Sequence, residues 1–269
     1  MDRLLTLKLD VVGCEAEALL NGVPLARAHA ARPRVLVPIH EYALAGPNRL
    51  ELVIWPCPAA APAEERPPPQ PLKADGLVRA SVRILLPRIG NPVDEASARS
   101  LAQIEWAPAA GDSYEAPLSL QQTGQLPVNF PRWRWIDAPL AEPTPALRAQ
   151  AHALIRRFQD DLAAGNPDAF LSAVRFRTEE LAVAYQRPAE ELLARLREHL
   201  EQLHQAGRLK WVELAPDALV LRRLAGGRLL ECLSADGEPA LRTQPDEHGR
   251  AQAFALRLAA AEGKLYVLR

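Results

Sequence analysis

The chain has 269 residues, of which 48% are hydrophobic and 24% are charged. A chain of this length usually forms two domains, because single hydrophobic cores stop growing at about 250 residues. The composition is that of an ordinary globular protein. The formal net charge is −1 and neither half is strongly basic, which argues against a nucleic-acid-binding domain with its clustered positive charge.

The start of the chain and its cysteines indicate the compartment. The opening residues, MDRLLTLKLDVVG, lack a basic segment followed by a long apolar run and a cleavage site, and no stretch of about 18 apolar residues comes later. Cys14, Cys57 and Cys232 are widely spaced and form no CxxC pair, so neither a disulfide framework nor a zinc site is indicated. We predict a cytoplasmic protein with no membrane contact, no metal and no cofactor.

Short β-rich runs separated by Gly, Pro and Asn fill the first half of the chain. These runs lie at 4–12, 17–22, 33–39, 48–55, 76–89, 100–106 and 115–122. The tract 56–75 is rich in proline and has no periodicity, so it is interpreted as a mobile, partly polyproline II loop that interrupts the sheet. We predict an all-β, jelly-roll-like sandwich domain over residues 1–137.

A change from strand to helical periodicity marks the domain boundary. Strand patterns stop in the linker 138–145, where Thr144 can cap a helix that has Pro145 at its first position. Asn166-Pro167-Asp168 can begin a second helix, and 188–207 contains a third helical region with a leucine stripe. The second domain is therefore predicted to span residues 146–269.

Five further strand candidates follow these helices: RLKWVELA, ALVLRRL, RLLECLS, AQAFALRLA and KLYVLR. Gly226-Gly227 and Asp236-Gly237 provide turns between some of them. The second domain is predicted to be α+β, with helices first and an antiparallel sheet after them, and the fold class of the whole chain is α+β.

The segment FPRWRWIDAP contains two tryptophans and two arginines in alternation. In an extended chain Trp133 and Trp135 share one face while Arg132 and Arg134 share the other, because side chains alternate along a strand. One interpretation is an exposed partner-binding anchor, since both residue types are enriched at interaction hot spots. The other, which we favour, is that the indoles pack into the junction between the two domains while the arginines are solvated.

The charged helical segment 188–206 is the second candidate partner surface. Glu191, Arg195 and Glu198 recur at helical spacing, and Glu191 and Arg195 have the i,i+4 separation that supports an exposed helix face. Together with the RWRW residues, they form the set that we predict to contact a partner protein.

Catalytic or metal-binding patterns are weak. His40-Glu41-Tyr42 would point to different sides of a strand, and His199 and His204 are five residues apart instead of the four that place two ligands on one helix face. The motifs GxSxG, HExxH and a glycine-rich phosphate loop do not occur. We therefore predict that the protein is not an enzyme. If the second domain instead encloses a polar pocket, the candidate polar side chains are Tyr185, His152, Asp160 and Asp161.

Two local resemblances suggest fold families. Residues 17–56, with Gly46, Asn48 and Leu50 in a GxNxL turn, resemble part of a galactose-binding-like jelly roll, a fold that binds sugars in some relatives and is only a scaffold in others. Residues 153–174 resemble the opening helical hairpin of NTF2-like cone folds, although that family usually places a strand earlier in the chain.

The whole arrangement of β-sandwich, RWRW junction and helical-then-β tail is similar to immunity proteins encoded beside effectors of the bacterial type VI secretion system. The resemblance implies a cytoplasmic protein that binds and neutralises a cognate secreted toxin, for instance a nuclease. The alternative is a small-molecule or carbohydrate-binding protein or hydrolase that uses a pocket of the jelly-roll or NTF2-like domain.

Overall fold

The computed structural model describes residues 4–56, 70–74, 76–87 and 98–269, and the chain divides into two compact units, Met1–Arg132 and Trp133–Arg269. Within these described residues there are four α-helices and four antiparallel sheets, so the predicted α+β class is confirmed. The division lies before the predicted end of the first domain at 137 and before the linker 138–145. The reason is that the backbone N–H of Arg134 donates to Glu180 in an α-helix of the second unit, and the Trp133 ring lies against the guanidinium of Arg269.

The first unit is built from strands in three sheets. Its strands are β1 Thr6–Val12, β2 Cys14–Leu20, β3 Val23–Ala28, β4 Arg34–Pro38, β5 Pro47–Pro56, β6 Gln70–Lys73, β7 Arg79–Leu86, β8 Arg99–Trp106, β9 Ser113–Ala116 and β10 Leu118–Gln125. Two sheets have four strands each, in the orders β4-β1-β7-β8 and β10-β5-β2-β3, and the third pairs β6 with β9.

One hydrophobic core joins the two larger sheets. Leu7 and Leu9 of β1 and Val82 of β7 come from the first sheet, and Leu20 of β2 and Leu52 of β5 come from the second; all five are fully buried in a single cluster. Alternate residues of each strand therefore face a shared interior, which is the arrangement of a β-sandwich.

Two strands of this unit were missed by the sequence patterns. β3 contains Pro24, which interrupts the strand pattern, but β3 is an edge strand where a missing backbone donor is tolerated. β6 lies inside the tract 56–75 that was predicted to be a loop; its pairing with β9 places Leu72 opposite Tyr114. That part of the loop prediction is wrong, and residues 57–69 lie outside the described residues.

The second unit begins with four helices: α1 Pro145–Ala163, α2 Asp168–Ala173, α3 Arg175–Tyr185 and α4 Ala189–Gln205. The predicted cap is confirmed, since the Thr144 hydroxyl accepts the Leu147 amide at 3.2 Å. Gly165, just after the end of α1, has the left-handed φ of +79° that glycine commonly adopts where a helix ends. None of the helices in the described part of the chain is long and apolar enough to cross a membrane.

A four-stranded antiparallel sheet follows the helices, with strands β11 Leu219–Leu224, β12 Leu229–Ser234, β13 Arg257–Ala261 and β14 Lys264–Val267 in chain order. The predicted order of helices before sheet is thus confirmed. The strand predicted for RLKWVELA is wrong: only Trp211 forms an isolated bridge, to Thr243. The Trp211 indole instead donates to the Gln159 carbonyl of α1 at 2.8 Å, which ties this segment to the helices.

Candidate functional site

The tryptophans of RWRW are buried. Trp133 is 1% exposed and Trp135 is 3% exposed, whereas Arg132 and Arg134 are exposed. The segment is not extended beyond Trp133, since residues Arg134–Asp137 form a 3-10 turn, so the strict alternation of faces expected for an extended chain does not apply there. The buried indoles leave no ring face with which to contact a partner.

A buried ion pair lies against one of these indoles, that of Trp133. The Arg269 guanidinium lies 5.6 Å from the centre of the Trp133 ring, and it donates to a carboxylate oxygen of Glu180 on α3 at 2.5 Å. The other Glu180 oxygen accepts the backbone N–H of Arg134 at 2.6 Å. The Glu180 and Arg269 side chains are 9% and 1% exposed. We call Trp133, Glu180 and Arg269, together with the backbone N–H of Arg134, the buried clasp of the second unit.

The Arg134 side chain points outward from this clasp and contacts α3. It pairs with Glu179 at 2.8 Å, donates to the Phe176 carbonyl at 3.2 Å, and lies 4.7 Å from the centre of the Phe176 ring. Arg175 pairs with the other oxygen of Glu179 at 3.1 Å. Glu179 is therefore shared by two guanidinium groups.

Two apolar side chains of α3 are exposed next to these charges. Phe176 is 40% exposed and Val183 is 53% exposed, and their separation of seven residues places them on one helix face. Phe176 also contacts Tyr266 of β14, with ring centres 6.3 Å apart. We call Phe176 and Val183, with the flanking Arg134, Arg175 and Glu179, the α3 ridge.

A groove of about 640 Å³ borders the ridge. Leu171 of α2 and Leu193 of α4 provide apolar lining, and Arg175 and Glu179 form the side that the groove shares with the ridge. This volume is in the range of pockets that hold a small ligand or a side chain of a partner. The ridge and groove together present apolar groups surrounded by charged groups.

The predicted partner residues of α4 form an exposed stripe beside this groove. Glu191 pairs with Arg187 at 2.9 Å and with Arg195 at 2.6 Å, and the hydrogen bond from Arg187 is the main cause that holds the pKa of Glu191 below its usual range. Glu198 accepts a hydrogen bond from Gln202 at 3.2 Å. The groove is lined instead by the neighbouring stripe of α4, which includes Glu190, Leu193 and Arg197.

The histidines singled out in the sequence have structural contacts. The His40 ring nitrogen accepts the Leu5 amide at 2.7 Å in a buried position, and a His152 ring nitrogen lies 2.8 Å from the Leu214 carbonyl. An added Cβ at Gly165 would lie 2.8 Å from His204, so that ring packs against the glycine turn. His199 is exposed on α4.

Of the remaining sequence candidates, Tyr185 is the last residue of α3, and the acidic pair Asp160 and Asp161 lies on α1. Asp160 and Asp161 each pair with an arginine one turn earlier on α1, at 3.6 Å. Burial, with the neighbouring Glu231 charge, raises the pKa of the Cys232 thiol to about 12. In the described part of the chain no three His, Cys, Asp or Glu side chains are grouped so that they could hold a metal ion.

Sequence reasoning missed the α3 ridge. The apolar spacing from Phe176 to Val183 was visible in FRTEELAV, but it has the same period as a buried helix face.

No family model, curated protein or solved structure matches the chain.

Proposed function

We propose that the chain is a non-enzymatic protein-binding module, and most concretely a cytoplasmic immunity protein that binds and neutralises a secreted bacterial toxin. The toxin would be the effector encoded beside it, such as a nuclease delivered by a type VI secretion system. The proposal extends the resemblance of the sequence to such immunity proteins, and the α3 ridge would form the centre of the contact surface.

The observation that supports the proposal best is the exposure of Phe176 and Val183 among ion pairs. Protein interfaces combine an apolar centre that carries most of the binding energy with a polar rim that excludes water. Phe176 and Val183 would form such a centre, and Arg134, Arg175 and Glu179 would form the rim. Exposed apolar groups grouped within a polar surround often mark an interaction site.

Neutralisation would require occlusion of the toxin and no chemistry by this chain. A stable complex buries roughly 800 Å² on each partner, which is more than the ridge alone can offer. The groove at Leu193 and the stripe Glu191–Arg195–Glu198 extend the same helical surface. We therefore expect one-to-one binding through α3 and α4.

Replacing Phe176 by alanine is expected to weaken toxin binding by about tenfold or more, the usual loss at an interface hot spot. The measurement is isothermal titration of the purified chain with the product of the neighbouring toxin gene, together with rescue of growth on co-expression. Leu140→Ala is the matched control, because Leu140 is another exposed apolar residue of this unit, at 68% exposure, and its loss should leave the affinity unchanged.

Two results would contradict this proposal. Equal affinities for Phe176→Ala and Leu140→Ala would remove the α3 ridge from the interface. If no neighbouring gene product binds, and the chain instead binds or turns over a sugar or small metabolite, the immunity function must give way to a pocket-based one.

A further inference from the structure

The geometry of the ridge suits a helical partner segment. Phe176 and Val183 are two turns apart on α3, and this corresponds to an axial distance of about 10.5 Å. The residues between the two anchors on their own face are Glu179 and Glu180, so no large apolar group of α3 lies between them. Helices recognise one another through side chains that recur at this spacing.

The charges are distributed unequally around the ridge. On the ridge side, Glu179 is the common partner of Arg134 and Arg175, at 2.8 and 3.1 Å, which leaves a surplus of one positive charge. Arg175 is 69% exposed, so its guanidinium retains donors that face solvent.

The opposite wall of the groove has a different balance. Arg197 and Asp168 form a pair there at 2.7 Å, so these two charges compensate each other. Glu190 lies in the first turn of α4, where the helix dipole favours a carboxylate. Glu190 leaves one negative charge on this wall, so the surplus positive charge is confined to the ridge side of the groove, beside Phe176.

We propose that the α3 ridge binds an acidic amphipathic helix of the partner protein; this inference rests on the proposed function, since it names the part of the toxin that the ridge contacts. Apolar side chains at i and i+7 of that helix contact Phe176 and Val183. Carboxylates along one edge of it accept hydrogen bonds from Arg134 and Arg175, as guanidinium groups favour carboxylates over neutral acceptors.

Two synthetic peptides provide a test that does not need the toxin. Both have about 16 residues, long enough to form helix when stabilised by a side-chain staple, and both have leucine at i, i+4 and i+7. They differ only in flanking glutamates or flanking lysines. We expect the glutamate peptide to bind the full chain at least about fivefold more tightly, with chemical-shift changes centred on Phe176 and Val183.

A charge reversal with a matched control identifies the site. Arg175→Glu should weaken the glutamate peptide by about fivefold and should favour the lysine peptide. Arg157→Glu is the control, because Arg157 also forms an i,i+4 ion pair, with Asp161, and has a similar exposure of 71%; it should leave both affinities unchanged.

The inference is overturned if neither peptide binds, if both bind equally, or if Arg157→Glu has the same effect as Arg175→Glu. Co-purification of the toxin with the wild-type chain reports the proposed function separately. A toxin complex combined with a failed peptide assay would mean that the chain binds its partner through a different kind of contact.

Discussion

Replacing Trp133 by alanine is expected to lower the free energy of unfolding of the second unit by roughly 3–5 kcal/mol. The indole is 1% exposed and lies against the Arg269 guanidinium, so its removal leaves a cavity beside a buried charge. Urea unfolding followed by far-UV circular dichroism measures this effect, because the α-helices of the described chain all lie in this unit.

The control for Trp133 is again Leu140→Ala, which removes an exposed side chain and should change stability by less than about 0.5 kcal/mol. A different result would revive the alternative interpretation of RWRW. If Trp133→Ala keeps wild-type stability but weakens partner binding, the tryptophan is an interaction anchor and the buried position is wrong.

Replacing Glu180 by glutamine is expected to cost about 3–5 kcal/mol, because it leaves the buried guanidinium of Arg269 without its counter-charge. Glutamine keeps an oxygen that can accept the Arg134 amide, so the substitution isolates the ion pair. The same urea titration applies. Asp161→Asn removes the exposed pair with Arg157, whose atoms are 3.6 Å apart, and should cost less than about 1 kcal/mol.

A double substitution separates the charge pair from simple packing. Glu180→Gln combined with Arg269→Met should recover much of the stability lost in Glu180→Gln, because it removes the uncompensated buried guanidinium while the glutamine oxygen can still accept the Arg134 amide. If the single substitution is as mild as Asp161→Asn, the clasp does not stabilise this unit in the way proposed.

The elements of the fold that depend on local pattern could be predicted from the sequence. Alternating residues located β1 and β5, and the Thr144-Pro145 cap located the start of α1, because both signals arise within a few residues of the element. β6 could not be found in this way, since its formation depends on pairing with β9 about forty residues later.

The candidate site depends on long-range contacts, which explains why the sequence indicated only part of it. Arg134 was named from the sequence as a candidate partner residue, but its ion-pair partner Glu179 lies 45 positions later. Glu180 pairs inside the second unit with Arg269, 89 positions away. Neither long-range partner can be read from the helical pattern of α3, which places Phe176 and Glu180, four residues apart, on the same face.

Hydrogen exchange of the toxin complex tests the central claim most directly. If this chain neutralises a partner through the α3 ridge and the groove, binding of the toxin should slow amide exchange in residues 175–183 and 189–197 relative to the free chain. Residues 145–163 of α1 provide an internal reference within the same unit. Protection that is confined to residues 4–132, or that is absent from α3 and α4 in a complex that still forms, would contradict the account.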